Sequence, residues 1–448
     1  IGQMEEKFAD YGEVQIKQLN DRSKMYYTPN KENNIFQLIV QYGAGEREFP
    51  KLGYAAQLMN NAGIMGAYEP QELKEELSKL NATCHVTADE DNLYIIMEGY
   101  EATLPQACQL LSRQILMPKL DEKQLARLKG SAMGMRQQRK DNVSILNEAL
   151  RQYMLYGEKS DYIKELTDKE IYELQISELT GDINRASNYE AKVFFTGTLP
   201  FDQVYDILSK NLPLVANERP SNSPQAKDMM PVTENTVYFL PNNDAEQAQI
   251  HLYIPMQKAD KKDDVLRSAF NQYFGLDFTG IVLNEIREKR SMAYTAYAFV
   301  GTQGIAGKAS YLRGYIGTQN DKANDALDVL MGLVNDMPKN PERIDNIKSY
   351  LRQAMLTSHP SFRNKAMELV DLGYRGYTDD PAKENLPKVD ALTFDDIVKF
   401  YEENIKDKPY CISIMGNPKN IDLKRLEKFG KVVKLNERKL FNTKDALF

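Results

Sequence analysis

The chain changes from a helical to a β-type pattern within the run Leu283-Asn284-Glu285-Ile286-Arg287-Glu288-Lys289-Arg290-Ser291-Met292-Ala293-Tyr294. Residues 279–289 are predicted to form a helix because apolar side chains recur at helical spacing, whereas residues 292–300 are β-rich. Arg287 therefore lies near the end of a helix, and Tyr294 lies at the beginning of the strand that follows. Their side chains can converge only if a turn at Arg290 and Ser291 folds the strand back.

Composition indicates a soluble chain with more than one domain. Its 448 residues are 42% hydrophobic and 10% aromatic, which is enough for two or more buried cores. The 57 basic and 64 acidic residues give a net charge of -7, which argues against a nucleic-acid partner. No apolar run approaches the roughly 20 residues that span a bilayer, so we expect no membrane span. The sequence opens on Ile1 without an export signal, which suggests a mature form or a piece of a longer chain.

Cysteine and histidine give no indication of a disulfide framework or of a metal site. The chain has three cysteines, Cys84, Cys108 and Cys411, and three histidines, His85, His251 and His359. The cysteines are far apart and form no CxxC pair, and the histidines fall on different predicted elements. We interpret all six as structural residues.

Short segments recur at a spacing of about 220 residues, which indicates an internal duplication. Met117-Pro118-Lys119 recurs 220 positions later as Met337-Pro338-Lys339, and Leu166-Thr167 is echoed by Leu392-Thr393. Each Leu-Thr pair precedes a predicted helix, at residues 168–179 and 394–405, and each helix leads into an apolar strand that ends at a glycine. These closing strands are predicted at residues 193–197 and 411–416, and the early strands of the two copies at residues 36–42 and 249–254.

Two similar α+β domains follow from this duplication, each a mixed, mostly antiparallel sheet with helices packed on it. The stretch around residues 216–231 is rich in proline and small polar residues, which do not sustain a helix or a strand. We therefore predict a first domain over residues 1–217, a linker over 218–230 and a second domain over 231–448.

The duplicated organisation and the run from Glu285 to Tyr294 resemble the pitrilysin/insulinase family of zinc peptidases, also called inverzincins. The chain is similar to the non-catalytic C-terminal half of such an enzyme. In catalytic halves, the resemblance implies an HxxEH motif on the helix after the first strand, where two histidines bind Zn²⁺ and the glutamate is the base.

The residues at the position of this motif cannot perform its roles. Alignment on Gly53-Tyr54-Ala55 places Ala56, Met59 and Asn60 where the first histidine, the glutamate and the second histidine would stand. Ala56 has no donor atom, Met59 cannot take a proton, and Asn60 is a neutral amide. The later stretch 123–140, where a third ligand is expected, contains no acidic residue and six basic ones. We interpret this basic stretch as a solvated face, and we predict no metal or other cofactor in this chain.

The resemblance implies a role for Arg287 and Tyr294 as residues that the non-catalytic half contributes to the active site. Peptide hydrolysis at zinc develops negative charge on the carbonyl oxygen, which a phenol or a guanidinium can stabilise. A structural interpretation also exists, because an arginine late in a helix favours the helix dipole and a tyrosine in a strand is often a packing residue.

Three functions remain open on the sequence. The first is a substrate-binding half that completes the active site of a zinc-bearing HxxEH half, on the same polypeptide or on a separate subunit, and helps to enclose a peptide substrate. The second is a scaffold or interaction protein that keeps the fold without a catalytic contribution. The third is an independent enzyme, for which no nucleophile and base stand out. By resemblance alone, zinc belongs to the partner half, and the location is expected to be the periplasm.

Overall fold

A computed structural model describes residues 7–446 of the chain. The N-terminal half begins with strands and then alternates between helices and strands. Its elements are β1 (Gln15–Gln18), β2 (Lys24–Pro29), β3 (Ile35–Tyr42), α1 (Leu52–Met59), β4 (Gly63–Ile64), α2 (Pro70–Lys79), β5 (Ala82–Ala88), β6 (Leu93–Tyr100), α3 (Leu104–Leu116), β7 (Pro118–Lys119), α4 (Glu122–Gln138), α5 (Val143–Tyr156), α6 (Asp161–Lys164), α7 (Asp168–Tyr172), α8 (Ile176–Ala186), β8 (Ala191–Gly197) and α9 (Phe201–Asn211).

The C-terminal half follows an irregular segment and has a similar order of elements. These are β9 (Thr236–Pro241), β10 (Gln247–Lys258), α10 (Asp264–Phe274), α11 (Ile281–Leu283), β11 (Thr295–Thr302), β12 (Ala309–Gln319), α12 (Ala323–Asn335), α13 (Ile344–Thr357), α14 (Lys365–Tyr374), α15 (Pro381–Ala391), α16 (Phe394–Asn404), β13 (Cys411–Gly416), α17 (Leu423–Leu426) and β14 (Lys431–Lys434). No helix in the described part of the chain is both long and apolar enough to cross a bilayer.

Each half contains a six-stranded sheet, and five strands follow the same order in both. The orders are β5-β6-β3-β8-β2 in the first sheet and β11-β12-β10-β13-β9 in the second. In each order the last two strands are parallel, and the other neighbours are antiparallel. The sixth strand differs, because β1 is antiparallel to β2 whereas β14 is parallel to β9. This duplicated architecture confirms the predicted α+β class.

One face of each sheet packs against helices of its own half. In β11, Ala296, Ala298 and Val300 are buried, whereas Tyr297 and Phe299 between them are half-buried. This alternation is typical of a strand whose two faces differ in their covering. By contrast, every residue of the central strand β13 is buried, because both faces of the sheet are covered there.

The other face of each sheet carries a helix from the opposite half of the chain. Helix α5 of the N-terminal half packs on the second sheet, where Leu150 shares a buried cluster with Leu240. Helix α14 of the C-terminal half packs on the first sheet, where Ala366 shares a buried cluster with Ile39 and Phe194. We call α5 and α14 the exchanged helices, since each completes the core of the half to which it does not belong in sequence.

The predicted linker is irregular, but its first residue is fixed to the N-terminal half. Glu218 is buried, and its carboxylate accepts hydrogen bonds from the backbone N–H groups of Arg22 and Ser23, at 2.7 and 2.8 Å. The Ser23 hydroxyl donates to the same carboxylate at 2.5 Å. Three hydrogen bonds to one carboxylate hold the residue firmly, so the segment is not a free tether at this point.

The largest difference from the sequence prediction concerns residues 168–179, which form two helices rather than one. Helix α7 ends at Tyr172, and α8 begins at Ile176. The Glu178 carboxylate accepts from the backbone N–H of Gln175 at 3.2 Å and so starts a new helix there. A carboxylate at the third helical position is a known N-terminal signal, and it decides the boundary at this point.

Candidate functional site

The site predicted from the sequence is built on a helix, a turn and a strand. Residues Ile281–Leu283 form α11, and the following five residues, Asn284–Glu288, continue it as a wider π-helical turn. The buried side chains of Ile281, Val282, Leu283 and Ile286 anchor this segment in the core of the C-terminal half. The helix is therefore present as predicted, although it begins two residues later.

A sharp reversal follows and brings the chain back to the helix. The backbone N–H of Met292 donates to the carbonyl of Ile286 at 2.9 Å, and Ser291 has a positive φ of 50°. The Thr318 hydroxyl donates to the carbonyl of Met292, and the N–H of Tyr294 donates to the carbonyl of Gly317 at 2.9 Å. After this turn the chain forms β11, which pairs with β12.

Arg287 and Tyr294 consequently line the same surface pocket of 500 Å³. The pocket is lined by Arg287, Glu288, Ser291, Met292, Ala293, Tyr294, Gln319 and Lys322. The sequence predicted that the two side chains meet only if the chain folds back at residues 290 and 291, and the structure has this reversal. Whether they act on a substrate is a separate prediction, which the geometry permits.

Neither side chain of the pair has a strong structural partner. Tyr294 is 52% exposed, and its hydroxyl accepts one hydrogen bond from Nε2 of Gln319 at 3.2 Å. Arg287 is also exposed, and the carboxylate nearest to its guanidinium is that of Glu288, at 3.8 Å. A weak, exposed ion pair of this kind contributes little to stability. Both polar groups therefore remain available to a bound molecule.

The neighbouring basic residues are held by a different carboxylate. Glu285 accepts from Lys289 at 2.7 Å and from Arg290 at 2.5 Å. These hydrogen bonds, first from Lys289 and then from Arg290, hold the pKa of Glu285 below its usual range. Arg290 is therefore ion-paired, and Arg287 is the guanidinium that faces the pocket.

The residues that the sequence analysis aligned with the zinc motif make structural contacts in this chain. Ala56 and Met59 are buried in the core of the N-terminal half. Asn60 donates from its side-chain amide to the carbonyl of Val86 at 2.9 Å and accepts from the N–H of Val86 at 2.8 Å. Strand β5 is the edge strand of its sheet. The Asn60 amide makes the hydrogen bonds that a further neighbouring strand would make to it. These three residues do not fit a zinc ion, and within residues 7–446 no group of three or more His, Cys, Asp or Glu could hold a metal.

Comparison with known proteins gives a family match for the middle of the chain. Residues 187–351, which include both Arg287 and Tyr294, match the family described as the peptidase M16 inactive domain. The chain resembles the non-catalytic half of a pitrilysin-type peptidase. The matched region crosses the predicted linker, so the predicted boundaries of the two domains are not tested by it. No curated protein matches the sequence.

Several solved structures share the fold of this chain. A peptidase M16 inactive domain from Pseudomonas fluorescens has 17% identity and a TM-score of 0.68, with 90% of this chain and 98% of that chain covered. A variant of the ferredoxin protease FusC, in complex with Arabidopsis ferredoxin, has 13% identity and a TM-score of 0.70, with 90% and 45% covered. The periplasmic protease PqqL from Escherichia coli has 13% identity and a TM-score of 0.66, with 91% and 47% covered. At these identities the likeness shows the fold alone, and the chain spans about half the length of the latter two.

The basic stretch 123–140 is less exposed to solvent than the sequence analysis predicted. It forms most of α4, and two of its arginines are paired with acidic residues that follow later in the chain. Arg136 contacts Asp168 at 2.7 Å, and Arg139 makes two bonds of 2.5 Å to the carboxylate of Glu165. A count of charges within the stretch cannot detect such partners, because they belong to a segment about 30 residues away.

The sequence analysis missed a second pair of hydrogen bonds like that between Asn60 and Val86, in the C-terminal half of the chain. We call each such pair an asparagine clamp. On α10, Asn271 donates to the carbonyl of Val300 at 2.9 Å and accepts from the N–H of Val300 at 2.7 Å. Val300 belongs to β11, the strand that corresponds to β5 in the order of the second sheet. Both halves therefore cover an edge strand with an asparagine side chain. Neither clamp could be found from spacing, because the asparagine and its strand are more than 25 residues apart. Gln319 was missed for the same reason, since its contact with Tyr294 depends on strand register.

Proposed function

We propose that this chain is the non-catalytic, substrate-binding half of a zinc metalloendopeptidase and contributes Arg287 and Tyr294 to the active site. The observation that carries the proposal is their presence in one open pocket without a structural partner that needs them. A packing tyrosine is normally buried, whereas Tyr294 exposes half of its surface.

The chemistry of the two side chains suits this role. When water adds to a peptide bond at zinc, the carbonyl oxygen becomes negatively charged, and a donor aimed at that oxygen lowers the barrier. The Tyr294 phenol can donate one hydrogen bond, and the Arg287 guanidinium can donate two in a fixed geometry. In this proposal, a zinc-bearing HxxEH half supplies the metal and the base, and closure of the two halves brings the pair to the substrate.

The partner half is proposed either on the same polypeptide or as a separate subunit. Similar structures of both lengths support either arrangement, since the chain covers 98% of the Pseudomonas protein but only 45% of FusC. A periplasmic location and an enclosed peptide substrate belong to the proposal as well.

Two measurements test this function. First, the purified chain alone should contain no stoichiometric zinc after dialysis against a chelator and should cleave no peptide, because Ala56, Met59 and Asn60 replace the motif. Second, the catalytic half should become active when this chain is added. In that mixture we expect Tyr294→Phe and Arg287→Ala each to lower kcat/KM by about 10²- to 10³-fold, as the loss of an oxyanion donor typically does.

Matched variants distinguish this role from packing or a change in charge. Tyr350→Phe removes the hydroxyl of a tyrosine with similar exposure, 49%, on α13. Arg127→Ala removes an exposed arginine from the N-terminal half of this chain. Both should leave the activity of the mixture unchanged. A loss of less than about threefold from both site variants, at unaltered stability, would instead favour the scaffold function without a catalytic contribution.

A further inference from the structure

The outer face of β11 and β12 carries a group of aromatic side chains around one arginine. Outer face here means the face of the second sheet opposite the core of the C-terminal half. By strand alternation and cross-strand pairing, Arg313 stands opposite Phe299, and Tyr315 stands opposite Tyr297. All four side chains are half-buried. We call this set of four residues the aromatic–arginine face.

The rings of this face lie close to one another and form an apolar floor. The ring centroids of Tyr297 and Tyr315 are 5.4 Å apart, and those of Tyr297 and Phe299 are 6.1 Å apart. Gly317 continues the outer face beyond Tyr315, and a Cβ added there would meet the Tyr315 hydroxyl at 3.0 Å. Glycine at residue 317 therefore leaves room for the Tyr315 hydroxyl, which donates to Oε1 of Gln249.

Arg313 is a charged group without a counterion on this floor. Among the residues that the structure describes, its guanidinium has no hydrogen-bond or ion-pair partner, and its nearest aromatic contact is the ring of Phe299, at 5.7 Å from the centroid. Burial and then repulsion by Arg151 lower the pKa of Arg313. A half-buried guanidinium normally has a carboxylate beside it, because an unpaired charge is unfavourable away from water.

The neighbouring helix supplies only one carboxylate, Glu148, whose charge also acts on Arg313. Arg151 of α5 already binds both oxygens of Glu148, one of them through Nε at 2.8 Å. The two arginines therefore face a single carboxylate, and the site as a whole retains one positive charge. An anionic group that approaches across the aromatic rings would balance this positive charge.

We propose that the aromatic–arginine face binds an extended peptide that carries an acidic side chain, with Arg313 as the group that recognises the carboxylate. The inference deepens the proposed function, because it names the class of peptide that the same half would bind. An internal acidic residue fits better than a chain terminus, since Arg313 lies near the middle of β12 and the face continues on both sides of it.

The face also leads toward Arg287 and Tyr294. Gln319, which bonds to the Tyr294 hydroxyl, is in phase with Tyr315 and Arg313 along β12. Six residues separate Gln319 from Arg313, which corresponds to roughly 20 Å along a strand, or about six residues of an extended peptide.

The test compares two labelled decapeptides, blocked at both ends, that differ only in one central residue, Glu or Gln. Binding to the isolated chain is measured by fluorescence anisotropy at low ionic strength. We expect the Glu peptide to bind at least about tenfold more tightly, as a charge-assisted hydrogen bond implies, and the difference to shrink in 0.5 M salt. Arg313→Gln should reduce the ratio to about one, and Arg313→Lys should leave an intermediate ratio.

The control Arg127→Gln changes the net charge equally and should preserve the tenfold ratio, while thermal unfolding confirms that each variant is folded. The proposal is overturned if Arg313→Gln leaves the ratio unchanged, or if neither peptide binds at 1 mM. It is also overturned if a Gln peptide with a free carboxyl terminus binds as tightly as the blocked Glu peptide, because the terminus would then be the ligand. The binding test contains no catalytic half, so binding can be observed even if Arg287 and Tyr294 prove inactive in catalysis. A failure of this proposal is therefore distinguishable from a failure of the proposed function.

Discussion

Asn60 shows how a single side chain can make the hydrogen bonds of a neighbouring strand at the edge of a sheet. A carboxamide carries a donor and an acceptor side by side, and a strand residue likewise offers one donor and one acceptor to its neighbour. Asn60 uses both kinds of group on Val86, and Asn271 repeats this pairing with Val300 in the other half. The histidine expected there in a catalytic half cannot donate and accept in this way while it binds zinc.

Removal of the Asn60 amide should therefore destabilise the protein rather than alter any activity. Asn60→Ala leaves the N–H and the carbonyl of the buried Val86 without partners, which we expect to lower the free energy of unfolding by about 1–3 kcal/mol. Urea denaturation measures this loss. Gln57→Ala, at an exposed position of the same helix, is the control and should change stability by less than about 0.5 kcal/mol. Equal effects of the two variants would contradict the clamp.

His251 should make the stability of the protein depend on pH. The ring is buried, and its Nε2 lies 2.8 Å from Oδ1 of Asn147 on the exchanged helix α5. Burial, followed by repulsion from Arg151 and Arg313, lowers the pKa of His251 to about 3. Above pH 6.5 neither state is protonated at this residue. As the pH falls from about 6.5 toward 3, the unfolded chain takes up the proton and the folded chain does not, so stability decreases.

The comparison with His251→Gln isolates this effect, because glutamine keeps a donor for Asn147 but does not titrate. Between pH 7.5 and pH 5.5 the wild-type protein should lose about 1.4 kcal/mol more than the variant. Urea denaturation at the two pH values provides the free energies. A difference that stays constant over this range would show that His251 is protonated in the folded protein.

At the scale of single elements, the two halves use the same signal to begin corresponding helices. Thr167 and Thr393 each accept a hydrogen bond from the backbone N–H of the third residue of the following helix, at 3.0 and 3.2 Å. In return, the backbone N–H of each threonine donates to the carboxylate of that residue, which completes a capping box. The sequence analysis found these residues as Leu-Thr pairs in a repeat, and the structure gives the physical reason for the repetition.

Thr167→Ala and Thr393→Ala should each lower the free energy of unfolding by about 1 kcal/mol, because each leaves a backbone N–H at a helix start without its partner. Serine at either position should restore most of the loss. Chemical denaturation of the two alanine and two serine variants measures this. If the serine variants are no better than the alanine variants, the hydroxyl is not the stabilising group.

Local signals decided which elements the sequence could predict. The strand at 411–416 has the predicted bounds, because it is a continuous apolar run between turn residues. The reversal between Arg287 and Tyr294 was also accessible, since its helix and strand patterns lie within one short segment. The prediction of a single helix over residues 168–179 was wrong, because Glu178 starts a second helix inside a continuous helical pattern. Gln319, the clamps and Arg313 depend on which strands become neighbours, and a single sequence does not contain that register.

At the scale of the molecule, the exchanged helices make the two halves dependent on each other. Helix α5 buries Leu146, Ala149, Leu150, Met154 and Leu155 against elements of the C-terminal half. At about 1.5–3 kcal/mol for each large apolar side chain, these contacts amount to roughly 6–12 kcal/mol. This equals the net stability of a typical domain, about 5–15 kcal/mol. The contacts between the halves therefore contribute to folding in addition to the larger core of each half.

Residues 1–230 and 231–448, produced separately, should each fail to fold as stable monomers, because each exposes a sheet face and an apolar helix. Produced together, they should form a complex with a secondary structure content like that of the intact chain. Circular dichroism and size-exclusion chromatography distinguish the two cases. The first fragment retains Glu218, so its bonds to Arg22 and Ser23 are preserved. Cooperative unfolding of either fragment alone would show that its own core suffices.

The exchange of α5 and α14 has a topological consequence. Two similar units that each lend a helix to the other have the arrangement of a domain-swapped dimer, here with its two subunits fused end to end. In such a dimer the subunits stay together through the swapped segments and not through the junction. A protease that nicks the segment between the halves would then cut the polypeptide without separating its parts, and the nicked protein would still present Arg287, Tyr294 and Arg313 on one body.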